Sequence, residues 1–356
     1  MRKIGDRIHS VTATRQMTAS MKVVAVSRLK KKHEEFLESI PFADEMNRVV
    51  RRLLRSIQMR QSIEPDKKMK LPTLMNGNGR DQRYVVVAVT SDDGLSGASS
   101  LQVMKQVQKV VDYLQEQGKD IHIFTYGVRG SEVLKRTYPD LPVIVIKQKK
   151  TQVMNAYANA ERLASDIMES FHRDRFDACL IVYNQFKSIV SQVPVVEQIV
   201  PNKLFLRENP WDFLNHPDET DYMRRDALGQ KKIKLKRSGF LSAIGGAEIL
   251  PSLQGVIFKT DLSGGKRSPY LYDYEPSDVG ILERILPQYL TAYIYRVVLE
   301  AEVSDNAARL MAMDNATRNA GEMLTNLNRI YRRTRQARIT TDIAEVSAGS
   351  TQEKVI

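Results

Sequence analysis

Toward the carboxy end of the chain, apolar and small residues return every third or fourth position. From Gln288 to Ala348 there is no proline and a single glycine, Gly321. Leu290, Ile294, Val297, Ala301, Ser304, Ala308, Met311 and Asn315 keep alternating spacings of 4 and 3. A second register then runs through Ala316, Ala320, Met323, Leu327, Ile330, Thr334, Ala337 and Thr341. A seven-residue rhythm predicts a long helix whose seam packs on another helix. The slip of one place at Asn315 and Ala316 keeps the seam of a 3.6-residue helix facing that partner. Drawn straight, the stretch would span about 90 Å at ~1.5 Å per residue. Its seam is rich in Ala, Ser, Thr and Met, so the two helices should approach closely and form a slender rod.

A matching pattern lies at the other end. Ile4, Ile8, Val11, Thr18, Met21, Ala25, Leu29, Phe36 and Ile40 fall at helical spacing. Pro41 removes a backbone donor and predicts a kink or a stop there. The pattern resumes through Met46, Val49, Val50, Leu53, Leu54 and Ile57. The two termini therefore predict one antiparallel coil, with everything between them folded as a head. Two core helices of an ordinary bundle are the other reading, but core helices carry larger apolar residues on a broader stripe.

Between the ends the period changes. Residues 61–83 read as a linker, with two prolines, Asn76-Gly77 and Asn78-Gly79. Tyr84–Thr90, Ile121–Tyr126, Leu141–Ile146 and Phe176–Asn184 read as strands. They alternate with helical patterns near Ala98–Glu116, Gly130–Arg136 and Gln152–Arg173. Ile189–Val200 reads as a further strand, antiparallel to its neighbour through a turn at Phe186–Ser188. This predicts an α/β fold: a mostly parallel head domain over 84–205, joined to a long antiparallel coiled coil of 1–60 and 288–356. Residues 206–267 read as an insertion in the head, with a hairpin or small subdomain expected, and 268–287 as a connection. Pro287 suits a first helical position or a kink.

Composition narrows the classes. The chain has 356 residues, 42% hydrophobic and 27% charged, as in an ordinary soluble protein. No apolar run approaches the ~18–20 residues of a membrane span. MRKIGDRIHS lacks the apolar core of a secretory signal, and Asp6 with the coil positions Ile4 and Ile8 argues against a retained transit peptide. The single cysteine, Cys179, lies in the apolar run DACLIVY and reads as a buried structural thiol. The net charge is +12, and residues 1–60 hold 14 Lys and Arg against 6 Asp and Glu. Arg28, Lys30, Lys31 and Lys32 crowd one helix; Arg329, Arg332, Arg333, Arg335 and Arg338 crowd the other. Such a rod suits a negatively charged partner, although solvated helix faces are the commoner meaning of charge runs.

The residues offer little chemistry. SGGKRS (263–268) lacks the earlier glycine and following Ser or Thr of a phosphate loop. Gly94, Gly97, Gly127 and Gly130 complete no dinucleotide fingerprint. His9, His33, His122, His172 and His216 are scattered, without metal-ligand spacing. Asp92 and Asp93 suit a helix cap. No nucleophile and base are paired. A basic scaffold or nucleic-acid-binding coiled coil needs only the charge and the coil; an enzyme built on the α/β head is a third reading.

Longer motifs carry a resemblance. SDNAARLMAMDNATRNAGEMLTNLNRIYRRTRQARITTDIAEVSAG (304–349) resembles the carboxy-terminal signature of the F-type ATP synthase gamma subunit family. IGDRIHSVTATRQMTASMKVVAVSRLKK (4–31) resembles that family's first helix, and SDDGLSGASS (91–100) the first turn of its head. The resemblance implies a central rotor shaft, non-catalytic by itself and without a cofactor or metal. It implies alpha, beta and epsilon subunits and the ring of membrane c subunits as partners, with no nucleic acid. It also implies a peripheral place on the cytoplasmic face of a bacterial inner membrane, or in an organelle. Met21 and Lys22 correspond to residues that face the acidic lever of a beta subunit. Lys22 stands where the family often has an acidic residue, and Ala19 where it often has lysine. Arg309 corresponds to the arginine of the AARMVAM block and is expected among the beta-subunit contacts. Arg335, Gln336 and Thr340 correspond to residues of the RQASIT block that contact a beta-subunit loop; Arg338 replaces a small residue there. The insertion has no cysteine for a plastid-type redox pair, and its basic KKIKLKR run (231–237) predicts a contact with the c ring or the epsilon subunit.

Overall fold

A computed structural model of the protein describes residues 2–63, 71–146, 156–201 and 277–352, with Trp211, Asn215 and Glu275. Apart from Trp211 and Asn215, the insertion expected at 206–267 lies outside the described residues, and so do KKIKLKR and SGGKRS. Helix α1 spans Arg2–Ile63 (62 residues) and α6 spans Asp278–Gln352 (75 residues). At ~1.5 Å per residue they are about 93 and 112 Å long. The short α2 (Thr73–Asn76) lies in the expected linker. The head follows as β1 (Arg83–Val89), α3 (Ser99–Glu116), β2 (Asp120–Tyr126), α4 (Val128–Thr137), β3 (Val143–Ile146), α5 (Ala156–His172), β4 (Ala178–Phe186) and β5 (Gln192–Val200).

The strands form one sheet in the order β3-β2-β1-β4-β5. β1 pairs in parallel with β2 and β4, and β2 with β3; β5 runs antiparallel to β4. The antiparallel return is closed by Lys187 and Ser188 amides donating to Ser191 O, at 3.3 and 3.0 Å. Residues 84–89 of β1 are all buried, because both faces of a parallel sheet are covered. On one face Val86, Ala88 and Leu180 meet Val103, Val107 and Leu114 of α3. Trp211 closes that side, edge-on to Tyr84 and Tyr113 at 6.2 and 5.8 Å. On the other face Val85, Val87 and Ile181 meet α5, Leu53 and Ile57 of α1, and Leu286, Tyr289 and Ile294 of α6.

Each long helix thus plays both expected roles along its length. Near the sheet it is a core helix with large apolar residues. Beyond the sheet, Leu29 and Phe36 of α1 pack on Leu299, Val303 and Ala307 of α6, and among the described residues the two helices continue alone. Three cross-links set the direction: Lys32 to Glu302 at 3.0 Å, Lys22 to Asp314 at 2.7 Å, and Thr18 to Thr317 at 2.8 Å. Numbers fall on α6 as they rise on α1, so the pair is antiparallel.

Three expectations are corrected. Of the two outcomes expected at Pro41, a kink or a stop, the stop does not occur; α1 continues to Ile63. Pro41 is exposed, while Phe36, Ala43, Val50 and Leu53 keep one buried stripe on either side. Burial of these side chains, about 1.5–3 kcal/mol for each large one, outweighs the ~3 kcal/mol cost of an interior proline. Likewise α6 begins at Asp278, within the expected connection, and runs through Pro287 because Leu282, Leu286, Tyr289 and Leu290 share a buried stripe. Finally, the distal seam sits one place away from the expected register at alternate positions. Met323 and Ile330 are 46% and 42% exposed, whereas Met313, Ala320 and Leu324 are buried. Small residues on both sides leave the sequence nearly indifferent between the two stripes; the pairing with Lys22 and Thr18 on α1 decides.

Candidate functional site: the shaft and its joint with the head

Extending the antiparallel register places Arg2 opposite α6 near Arg333. Among the described residues, α6 from Arg335 onward meets no residue of α1, and residues 335–345 are all exposed. The single helix projects about 27 Å beyond the pair at ~1.5 Å per residue. Arg335, Gln336, Arg338 and Thr340 lie on it, with the apolar side chains Ile339 and Ile343 at 45% and 63% exposure. The Thr340 hydroxyl donates to Gln336 O at 3.0 Å, as threonine does within a helix.

Farther down the shaft Met21 is exposed beside Lys22. The Lys22 ammonium donates to Asp314 Oδ1 at 2.7 Å, and Arg318 reaches the other oxygen at 3.2 Å. The hydrogen bond from Lys22 holds the Asp314 carboxyl below its usual range. Met17, Val23, Val24 and Val26 leave an apolar band open on the same stretch of α1, at 60, 70, 51 and 38% exposure. Isolated helices do not gain by exposing such a band, so it reads as a surface that another chain covers.

Between shaft and head lies a joint that the loop after β1 makes. Asp92 accepts a hydrogen bond from the Val128 amide at 2.8 Å, at the start of α4. Asp93 approaches Arg28 of α1 at 3.5 Å. Gly94 O accepts from Arg309 Nε at 3.2 Å. Leu95 takes a left-handed conformation, φ 65°, which is strained for a branched residue. Gly97 lies flat on α6: a Cβ there would sit 3.5 Å from Ala312 Cβ. Arg309 also donates to Asp305 at 2.7 Å and Asn306 at 2.8 Å, and is only 9% exposed. This arginine, expected at a partner surface, spends its donors inside the chain.

A second tie runs from β4 to α6. Ser304 donates to Asn184 O at 2.9 Å, and Glu300 accepts from the Phe186 amide at 3.2 Å. Tyr293 donates its hydroxyl to Glu197. Burial pushes the Glu300 carboxyl up to about 7; Arg296 opposes the shift and Glu197 adds to it.

A family model described as ATP synthase matches residues 1–351. The chain belongs to the ATP synthase family. Within this family it is 29% identical over 344 residues to the ATP synthase gamma chain of Pelagibacter ubique, covering 97% of this chain and 96% of that one. It is also 29% identical over 350 residues to the gamma chain of Paracoccus denitrificans, with 98% of each chain covered. Among solved structures, the central stalk of the Tetrahymena thermophila mitochondrial ATP synthase aligns with 84% of this chain and 99% of that one. Its identity is 19% and its TM-score 0.48.

Of the residues singled out in this ATP synthase family chain, Met21 and Lys22 lie together on the shaft. Arg335, Gln336 and Thr340 lie together on the tip, and Arg309 stands apart in the joint. The sequence assigned no contact to Gly94, Leu95 and Asn184, which complete that joint. A signal was present for the first two: a glycine followed by an apolar residue inside the polar turn SDDGLSG.

Proposed function

We propose that this chain is the central-stalk rotor subunit of an F-type ATP synthase. The observation that carries the reading is the joining of the two chain ends into one antiparallel shaft that outruns the head and ends as a single exposed helix. Membership of the ATP synthase family over residues 1–351 supports it. The shaft stands inside a ring of alpha and beta subunits, and the head, with the epsilon subunit beside it, rests on the ring of c subunits. Turning the c ring turns the head. The joint at Asp93, Gly94, Arg309, Ser304 and Glu300 passes that torque to both helices.

The catalytic chemistry belongs to the beta subunits; this chain changes their shape. A shaft with an apolar band on one side and charged groups on others presents different contacts to each surrounding subunit. Different contacts bias each subunit toward a different conformation, which is coupling by differential binding. Met21 and Lys22 are the proposed contacts for the acidic lever of beta. Arg335, Gln336 and Thr340 are the proposed contacts for a beta loop, where a guanidinium fork suits carboxylates and carbonyls. Among the described residues no helix is long and apolar enough to cross a membrane, which agrees with attachment through partners at the cytoplasmic face of a bacterial membrane. The insertion at 206–267 is proposed as an added contact at the foot.

Co-expression with the alpha and beta subunits of the same source tests the reading. A stable complex containing one copy of this chain is expected. Folded alpha and beta that leave the chain behind, together with a salt-sensitive affinity for DNA, would replace the rotor by a nucleic-acid-binding coil.

A further inference from the structure

A cavity of about 860 Å³ opens between the head and the shaft, within the ~300–1,000 Å³ range of small-molecule sites. It lies at the carboxy ends of β1 and β2, whose Val89, Thr90 and Tyr126 form its floor. Strand order places it where the sheet changes direction. From β1 the chain crosses by α3 to β2 on one side, and it later returns by α5 to β4 on the other. Open α/β sheets gather ligands at such a point, because the loops there diverge and leave a crevice.

Two independent features say what would fit. The first is the start of α3, which lines the cavity with Ser99 and Ser100. The helix has 18 residues, begins after Ala98 and has no side-chain cap. The Ser99 amide donates to Ser96 O and that of Gln102 to Ala98 O, but no bond engages the amides of Ser100 and Leu101 among the described residues. Free amides and the helix dipole favour an anion there. Of the four cations on the wall, Arg28 is matched by Asp93, Lys32 by Glu35 and Glu302, and Arg309 by Asp305. Lys31, exposed at the mouth, makes no ion pair among the described residues.

The second feature is a pair of buried acceptors that lack hydrogen-bond donors among the described residues. Asn184 is 2% exposed and spends its amide nitrogen on Ser99 O and Oγ, both at 2.9 Å. Its Oδ1 accepts nothing among the described residues, and neither does Oδ1 of Asp305, 8% exposed. Both residues line the cavity. The fixed bonds to Ser99 set the orientation of the Asn184 amide, so the lone atom is the oxygen. Buried acceptors without donors are costly, and ligand hydroxyls relieve them.

We propose that this crevice binds a phosphorylated sugar, of the kind a mononucleotide carries. The phosphate sits at the start of α3, on the Ser100 amide beside Lys31, and sugar hydroxyls donate to Asn184 and Asp305. Such a ligand would bridge α3, α1 and α6 and stiffen the head against the shaft. The site is separate from the rotor reading, which stands whether or not it is filled.

Titration calorimetry on the purified full chain tests it with adenosine 5′-monophosphate, ribose 5-phosphate, adenosine and inorganic phosphate. The two sugar phosphates should bind saturably, and adenosine at least about tenfold more weakly. Ser100→Asp places a carboxylate on the helix start, which favours the helix but repels the ligand. It should weaken sugar-phosphate binding about tenfold or more with an unchanged or raised melting temperature; Lys31→Glu should act in the same direction. Absence of saturable binding by both sugar phosphates, or binding unaltered in both variants, overturns the proposal. Inorganic phosphate binding as tightly as ribose 5-phosphate overturns the assignment of Asn184 and Asp305 to the sugar.

Discussion

Arg309 is the sharpest place to test how head and shaft are joined. Arg309→Ala removes three hydrogen bonds at once, to Asp305, Asn306 and Gly94 O. The side chains of Arg309 and Asp305 are 10% and 11% exposed, so water screens the pair little. Removing one member leaves the Asp305 carboxylate buried and alone, which costs about 3–5 kcal/mol for a fully buried pair. Residual exposure brings the expectation to the lower end, about 3 kcal/mol. The single tryptophan, Trp211, is buried against the head and reports its unfolding in urea. With a slope of about 1–3 kcal/mol/M the midpoint should fall by about 1–3 M. The double variant Arg309→Ala with Asp305→Ala removes the stranded charge as well, so it should be more stable than Arg309→Ala alone. A midpoint for Arg309→Ala equal to the parent, or a double variant whose losses simply add, would refute the joint as described.

Other outcomes follow from single groups. The folded Glu300 carboxyl keeps its proton up to about pH 7, against ~4.3 in an unfolded chain. The folded state therefore binds more protons in that window, and stability should fall as pH rises from about 4 to 7, by about 3 kcal/mol. Glu300→Gln should flatten this slope in urea melts recorded across pH; an unchanged slope would acquit Glu300. Asp177 behaves oppositely. Burial raises its carboxyl, but Arg83, Asn78 and the Arg83 and Gln82 amides overcome this and hold it well below the usual range. Its contribution is present above about pH 4 and is lost as pH falls further, so Asp177→Asn should remove the acid limb of that stability. At Gly127, φ is 108° and a Cβ would lie 2.2 Å from Thr90 O. Gly127→Ala should yield little folded head, while Gly79→Ala, at φ 79° with open space around it, should cost only about 1–2 kcal/mol in the same urea melt.

Much of this architecture was legible because its signals are local and repeated. Seven-residue spacing at both ends marked the two long helices, and runs such as YVVVAV marked strands covered on both faces. Less legible was anything that one stripe of side chains could not settle alone. Leu324 faces the seam and Met323 faces water, because Thr18 and Lys22 on the other helix choose between two nearly equal stripes. Prolines at 41 and 287 look like breaks until the buried residues on either side are seen to share one face. The intrachain bonds of Arg309 to Asp305, Asn306 and Gly94 O were not legible, because a sequence motif records which residue stands at a place and not which way it turns. Met21 and Lys22 lie on the paired shaft, and Arg335, Gln336 and Thr340 lie exposed on the tip. Asn184 escaped notice entirely: it sits in a strand that reads as apolar, 120 residues from the Ser304 it meets.

The rotor account predicts different consequences for two cross-links in the assembled enzyme. Thr18→Cys with Thr317→Cys joins α1 to α6 within the shaft, where the two hydroxyls lie 2.8 Å apart. Gln336→Cys joined to an adjacent beta subunit ties the projecting tip to its surroundings. ATP hydrolysis should persist at the parent rate with the first bond closed. It should stop with the second and return on reduction. Full turnover while the tip is bonded to beta would contradict rotation of this chain.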